Sequence, residues 1–504
     1  MPDTFVSRPR SLGLAALAAV LLAGCSVGPD YERPAVVVPD RFTGTGTVAD
    51  DPGVPLATAG DPAFWRRFGD PQLSALVEEA LGRNHDLRAA VARYDEANAL
   101  LQGAGFDRYP SVTAGASAST GRASESEAAG APGGSRDIEA YRATVDASWE
   151  LDAFGRVRRA IEARRAEVAA SVADVAAVQV AIAGEVARTY FGLRGLQERL
   201  RVARENAANQ RESLELVDAR WRAGRGTDFD MARARAQLET TSARIPALEA
   251  EVGFAMHRLA VLAGRAPEAL AAELREPAPL PTLPARLDPG TPGDLLRRRP
   301  DVAAAERRLH AATARIGVAT ADLFPRFTLA GLLGSAAGDP GSLFEGGSDT
   351  RLVALGIDWS FLDAGRVRAR IAAADARAQA DLARYEQAVL LALEDTENAL
   401  LRFARARSED AHLERAAIES AEAARLARVR FDAGAAGLLE VLDAERTRLQ
   451  AQDAFADSRA RSAVGAVQLY EALAGGWPQA LPPSASGSTA GSASASASAS
   501  ARPG

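Results

Sequence analysis

Hydrophobic positions along the chain follow two periods, seven and two, that take turns. From residue 156 to about 221 no proline interrupts, and apolar or small residues recur every seven: Ile161, Val168, Val175 and Ile182, with Leu196 two heptads further on. A second seam runs through Val172, Val186, Leu193, Leu200, Ala207 and Leu214. Heptads sustained over that distance predict a coiled-coil-like packing face. At 1.5 Å per residue, about 65 residues make a rod about 100 Å long. A solvated structural rod gives the same seams.

The period of two appears elsewhere. Tyr141, Ala143, Val145, Ala147, Trp149 and Leu151 alternate with Arg142, Thr144, Asp146, Ser148, Glu150 and Asp152. Further on, Val353, Leu355, Ile357, Trp359 and Phe361 alternate with Ala354, Gly356, Asp358 and Ser360. Four strands are expected, at about 111–120, 138–152, 327–336 and 350–362, with Gly/Ser/acid-rich loops at 121–136 and 337–349. Helical patterning over 70–108 and 291–323 stops just before Tyr109-Pro110 and Phe324-Pro325, where proline disfavours a helical predecessor. Strands of this length, apolar on one face and polar on the other, match outer-membrane barrel strands. Trp149 and Trp359 near a strand end suit an interfacial girdle. A half-buried soluble sheet gives the same alternation, so the compartment has to decide.

The chain also repeats itself. Trp149-Glu150-Leu151-Asp152-Ala153-Phe154-Gly155-Arg156 returns 210 residues later as Trp359-Ser360-Phe361-Leu362-Asp363-Ala364-Gly365-Arg366. Arg220-Trp221-Arg222-Ala223-Gly224 returns as Arg430-Phe431-Asp432-Ala433-Gly434 at the same offset. A length of 504 residues ordinarily means three or four domains; here it is a tandem duplication. Each copy reads helix, strand pair, very long helix, turn, helix.

Composition removes several functions. One Cys and four scattered His (His85, His257, His310, His412) give neither a disulfide framework nor a metal cluster. A formal charge of −7 offers no broad nucleic-acid footprint. The chain contains no lysine, so no phosphate cradle of the GxxxxGK[ST] kind exists. No GxSxG or HExxH pattern appears, and helix-surface acids three or four residues from Arg ordinarily form ion pairs. No catalysis and no cofactor are expected.

The N-terminus supplies the compartment. Arg8 and Arg10 precede an apolar run over 12–22, too short to span a bilayer and placed like a signal peptide. It ends in Leu22-Ala23-Gly24-Cys25, which resembles the lipobox of bacterial lipoproteins, with the only cysteine where lipidation needs it. Ser26 follows, and by that resemblance a residue other than Asp favours sorting to the outer membrane. No later stretch reaches 18 uncharged apolar residues, so no membrane-spanning helix is expected. That context favours a barrel. Four strands are too few for one, because an open sheet edge cannot sit in lipid, so several chains must share it.

These residues resemble the TolC-like outer-membrane efflux proteins, in the NodT-type lipoprotein branch that serves resistance-nodulation-division pumps. The signature is carried by Cys25-Ser26-Val27-Gly28-Pro29-Asp30-Tyr31-Glu32-Arg33-Pro34, by Trp65, Phe68, Asp70-Pro71 and Leu73, and by Leu295-Leu296-Arg297-Arg298-Arg299-Pro300-Asp301-Val302 with Glu306. Arg430-Phe431-x-x-Gly434 and Leu438-Leu439-Glu440-Val441-Leu442-Asp443-Ala444-Glu445-Arg446 resemble the family's periplasmic helix tip. The resemblance implies a mainly α fold with a transmembrane β part: a duplicated repeat of long coiled-coil helices plus four β-strands per chain. It implies a homotrimer with a 12-stranded barrel and an α-helical tunnel, acting as the passive exit duct of a tripartite pump with a periplasmic adaptor and an inner-membrane pump.

The resemblance also implies a gate at the helix tips. An Asp ring falls on Asp443, a hydrophobic constriction on Leu439 and a linking Arg on Arg430; Phe431 stands where the family usually has Tyr. Phe229 and Arg233 occupy the equivalent first-repeat positions, and Arg233 is expected to face Asp443. Lipidation falls on Cys25, with outer-membrane lipid as its partner. The expected organisation is signal peptide 1–24, anchor and extended segment 25–69, first repeat 70–264, equatorial linker 265–290, second repeat 291–475, and equatorial end with a Ser/Ala tail 476–504. Two rivals remain. A periplasmic adaptor needs one hairpin and small β domains and would not carry the duplication, whereas a structural coiled-coil lipoprotein would lack the Trp-flanked strands.

Overall fold

The computed structural model describes residues 26–43, 57–58, 62–124, 126, 136–281 and 287–474. The signal peptide, Cys25 and the Ser/Ala tail lie outside the described residues. Contacts divide the chain into two compact units, one drawn from 1–35, 94–171 and 304–385, the other from 36–93, 172–303 and 386–504.

The helices are α1 (Pro71–Arg83), α2 (His85–Phe106), α3 (Arg156–Arg222), α4 (Asp228–Ser242), α5 (Arg244–Leu262), α6 (Ala271–Leu274), α7 (Pro292–Arg298), α8 (Pro300–Ala321), α9 (Ala364–Asp432) and α10 (Leu438–Ala472). The heptads form as expected: α3 has 67 residues and α9 has 69. Most of the seam on α3 is buried, with Ile161, Val175, Ile182, Val186, Leu193, Leu200 and Ala207 all below a tenth exposed, while Val172 faces out. Helix α3 contains an 18-residue window apolar enough, by composition alone, to cross a membrane. This differs from the sequence expectation. Packing accounts for part of it: Val175, Ile182, Ala183 and Val186 are buried, and 39% of the window lies inside the protein.

The first unit is built on a four-stranded antiparallel sheet of β1 (Ser111–Arg122), β2 (Asp137–Leu151), β3 (Arg326–Ala337) and β4 (Asp349–Asp358), in that spatial order. The fourth strand ends earlier than expected. Trp359 lies beyond it and Phe361 begins a short 3₁₀ turn over Phe361–Asp363. The two tryptophans do the same local job in both repeats: Trp149 donates to the Arg108 carbonyl and Trp359 to the Leu323 carbonyl, each at 3.0 Å. Phe154 stacks on Phe324 at 4.6 Å where the strands give way to helices, and Gly155 turns the chain there with φ of 82°.

Two motifs far apart in sequence meet in this unit. Tyr31 donates to Glu306 at 2.6 Å and stacks on His310 at 4.3 Å, and the His310 Nε2 lies 3.0 Å from Glu162. Arg159 holds Asp30 at 2.6 Å and Glu162 at 2.8 Å. Burial, reinforced by the bond to Glu306, raises the Tyr31 hydroxyl well above its usual value, so Tyr31 remains a donor. Gly28, at φ of 89°, passes so close to Gly317 that a Cβ would lie 2.4 Å from its Cα; a side chain on either residue would force this crossing apart.

The second unit packs around Phe64, which stacks on Tyr470 at 4.9 Å, and Phe68, which meets Phe191 edge-on at 4.9 Å. Asp70 caps α1, one oxygen accepting from the Gln72 and Leu73 amides and the other from the Tyr190 hydroxyl at 2.6 Å. The buried Arg194 on α3 donates to Gln72, Gln197 and the Glu276 carbonyl. The N-terminal extended segment and the linker also pair directly, Ala57–Thr58 running parallel to Leu287–Asp288.

Candidate functional site

Strand register converts the alternation into a surface. Partners across an antiparallel pair share a face, so Ala114, Val145 and Leu333 lie together, as do Trp149, Leu329 and Leu355. That face continues through Val112, Ala147, Val353 and Ile357. Val112, Val145, Leu333, Leu355 and Ile357 are all exposed, and Val353 keeps 82% of its surface. The other face carries Ser111, Thr113, Ser117, Arg142, Asp146 and Thr328, with Leu332 and Leu352 among them. One face is suited to lipid and the other to water. Among the described residues neither edge strand, β1 or β4, pairs with a further strand.

The two helix tips, both in the second unit, are built to related plans. The first joins α3 to α4. Gly224 takes φ of 71°, and Thr227 closes a reciprocal capping box with Asp230, satisfying two orphan helix amides. Trp221 donates to Asp228 at 2.9 Å. The second joins α9 to α10. Gly434 takes φ of 73°, and Gly437 starts α10 without a side-chain cap. Leu438 packs against both tips, touching Val217, Met231 and Ala234 on one side and Ala427, Phe431 and Val441 on the other.

The sequence-selected tip residues fall into three settings. Leu439 and Phe229 occupy the first turns of α10 and α4 and are exposed, 57% and 70% respectively. Phe431 is buried instead, with the Arg220 guanidinium 4.4 Å over its ring, and serves in the packing of the tip. Arg430 binds Glu440 at 2.7 Å, a link across the turn that sequence reasoning missed although Glu440 stands inside the tip motif. Asp443 is exposed and pairs with Arg446 one turn on at 2.6 Å. Arg233 does not reach it, and among the described residues Arg233 makes no ion pair. The nearer partner wins because residues three apart on one helix already face each other.

Above the tips, charged pairs tie α3 to α10. Arg199 binds Asp453 at 2.8 Å and Asp457 at 3.1 Å. The bond to Asp453 raises the Arg199 pKa despite burial. No group of acids, His or Cys among the described residues is arranged to hold a metal ion.

A sheet with one lipid-suited face, two helices of nearly seventy residues and a duplicated tip define an outer-membrane channel subunit. The outer membrane efflux protein family matches residues 76–265 and again 291–475. The chain belongs to that family: it is an outer-membrane efflux channel, the exit duct of a tripartite pump, and not an enzyme. It is similar to the outer membrane protein OprJ of Pseudomonas aeruginosa, 33% identical over 483 residues that cover 93% of this chain and 97% of OprJ. It is also similar to the probable outer membrane lipoprotein SilC of Salmonella typhimurium, 31% identical over 463 residues, 91% of this chain and 97% of SilC. Among solved structures, the outer-membrane channel OprN matches with a TM-score of 0.82 at 41% identity, covering 90% of this chain and 100% of that one.

Proposed function

We propose that three copies of this chain close their sheets into one 12-stranded barrel and their helices into a tunnel whose shut point is the ring of helix tips. The observation that carries the reading is a pair of edge strands that, among the described residues, have no further strand beside them, on a sheet with an apolar outer face. Backbone groups left open in hydrocarbon cost several kcal/mol each, so the edges must pair with other copies. The duct works with a periplasmic adaptor and an inner-membrane resistance-nodulation-division pump, and it is itself passive.

At the gate, Leu439 narrows the opening and excludes water, and three Asp443 carboxylates around one axis repel each other and attract cations. Phe229 lines the same turn of the first repeat, Arg233 stands one helical turn further on, and Arg430 stiffens the second tip through Glu440. Phe431 supports that tip from within. Single-channel conductance of Asp443→Ala combined with Leu439→Ala is expected to exceed that of the parent, in a protein that still runs as a heat-sensitive trimer. A conductance no larger than the parent's rejects the gate.

The anchor is Cys25, acylated after removal of residues 1–24, with 25–69 as the tether, 70–264 and 291–475 as the repeats, 265–290 as the linker and 476–504 as the end. Palmitate labelling should be lost in Cys25→Ser. Labelling that persists without Cys25, or its absence from the parent, defeats the anchor.

A further inference from the structure

The two repeats differ in the helix that climbs away from the tip. In the second repeat α10 runs unbroken through 35 residues. In the first, the same run carries a local break in its hydrogen bonding at Ala243, with α4 ending at Ser242 and α5 starting at Arg244, although Ala243 itself keeps helical angles (φ −62°, ψ −21°) and bonds to the Glu239 carbonyl at 2.9 Å. Pro246 is the cause. It has no amide hydrogen to give the Ser242 carbonyl, and its ring crowds that carbonyl. At the tip offset of 210 its counterpart is Ala456, a buried alanine that leaves α10 whole.

What lies against this break is Asp453 of α10. One carboxylate oxygen accepts from Arg199 of α3 at 2.8 Å; the other sits 3.3 Å from the same guanidinium and 3.6 Å from Arg244, the first residue past the break. A cavity of about 490 Å³ opens alongside, lined by Gln237, Thr240, Thr241 and Arg244 as well as Asp453. Close-packed interiors hold helices in place by contact. Here the cavity thins that contact beside the kink, and the charged pairs of Asp453 bridge alongside it.

We propose that Asp453 is a positioning residue for the gate: by clamping Arg199 and Arg244 it fixes the angle of the proline break, and with it the placement of α4, which carries Phe229 and Arg233. The proposal rests on the tip being the gate. The clamp joins the broken helix of the first repeat to the whole helix of the second, so α4 and α10 hold their places together. Without the clamp, α4 pivots at Ala243 into the cavity beside it, while α10, lacking a break, keeps its line.

The test uses the full-length trimer in nanodiscs, with labelled chains diluted among unlabelled ones. Nitroxides are placed at the exposed Ala232, on the tip side of the break, and at the exposed Ile418 on α9. Ala232 is roughly 17 Å along the helix from the break, so a bend of about 20° moves its label by about 6 Å. Asp453→Asn should shift or widen the distance distribution by that amount and raise conductance. Pro246→Ala, which restores the missing helical bond, should return Asp453→Asn to the parental distribution. Two results overturn the proposal: Asp453→Asn with a parental distribution, or a change equally large with Ala at 246, which marks the aspartate as general packing.

Arg244→Ala, which leaves the Arg199 pair intact, is the milder variant should Asp453→Asn fail to assemble, and a smaller shift in the same direction is expected. Leu439→Ala serves as the gate control. If it opens the channel while Asp453→Asn moves α4 without raising conductance, the clamp does not position the gate and the proposal falls with the gate still standing. If Leu439→Ala leaves conductance unchanged, it is the gate reading that fails, and the label distances still decide whether Asp453 holds the break.

Discussion

The two tips share a turn, a glycine in the left-handed region and an exposed apolar residue in the first turn of the following helix, yet they are stabilised by different devices. The first-repeat tip is held at its end: Thr227 and Asp230 cap α4, Trp221 bonds to Asp228, and the helix above is broken by Pro246. The second-repeat tip has no capping side chain at Gly437 and relies on a continuous α10, on Phe431 in its own core beneath Arg220, and on the Arg430–Glu440 pair across the turn. Equivalent positions have therefore diverged in role. Trp221 is a half-exposed hydrogen-bond donor, whereas Phe431, 210 residues on, is core. Duplication kept the outline of the tip and let each copy choose where to be firm.

The largest effect should separate buried from displayed aromatics. Phe431→Ala removes a ring that is 6% exposed, and Phe→Ala at such sites costs about 3–5 kcal/mol. Phe229→Ala removes one that is 70% exposed, and a change of that kind stays within about 0.5 kcal/mol. Limited proteolysis at the tips and the thermal transition of the trimer check both. Equal losses from the two variants would break the distinction between a packed tip and a displayed one.

Much of this was legible in the chain. The heptads of 156–221 located α3, and the strand expected at 138–152 matches β2, Asp137–Leu151, to within a residue at either end, although the clean alternation begins only at Tyr141. The duplication fixed the second copy from the first. The fourth strand was overextended because alternation continues through Trp359 and Phe361 after the chain has begun to turn; side-chain parity does not report where the backbone leaves the sheet. The partners of the tip charges were less visible. Asp443 and Arg233 matched in sign, but Arg446 was closer along the same helix, and local geometry outranks complementarity of charge. Tyr31 and Glu306 were each recognisable in a motif, yet nothing in either motif says that they bond to each other across 275 residues. The break at Ala243 was overlooked although Pro246 announces it.

The smallest effect concerns acid, and again it divides the repeats. Glu198 on α3 accepts from Arg201 at 2.9 and 2.7 Å. Those bonds, working against partial burial, lower its pKa below the ordinary 4.5. At the offset of 210 the second repeat has Ser408, which does not titrate there. A carboxylate with a depressed folded-state pKa contributes stability that is fully present above its unfolded value and is lost as pH falls through the folded one. Both partners are more than a third open to solvent, so the contribution is small, about 0.2–0.5 kcal/mol for helix pairs three or four residues apart. Glu198→Gln should therefore lower the thermal transition slightly at pH 7, and the gap should close as pH falls below the ordinary carboxylate range. Ser408→Ala should show no such pH dependence. A gap for Glu198→Gln that persists unchanged into acid would mean that Glu198 acts through packing of its stem, and the electrostatic difference between the repeats would have to be sought elsewhere along α3.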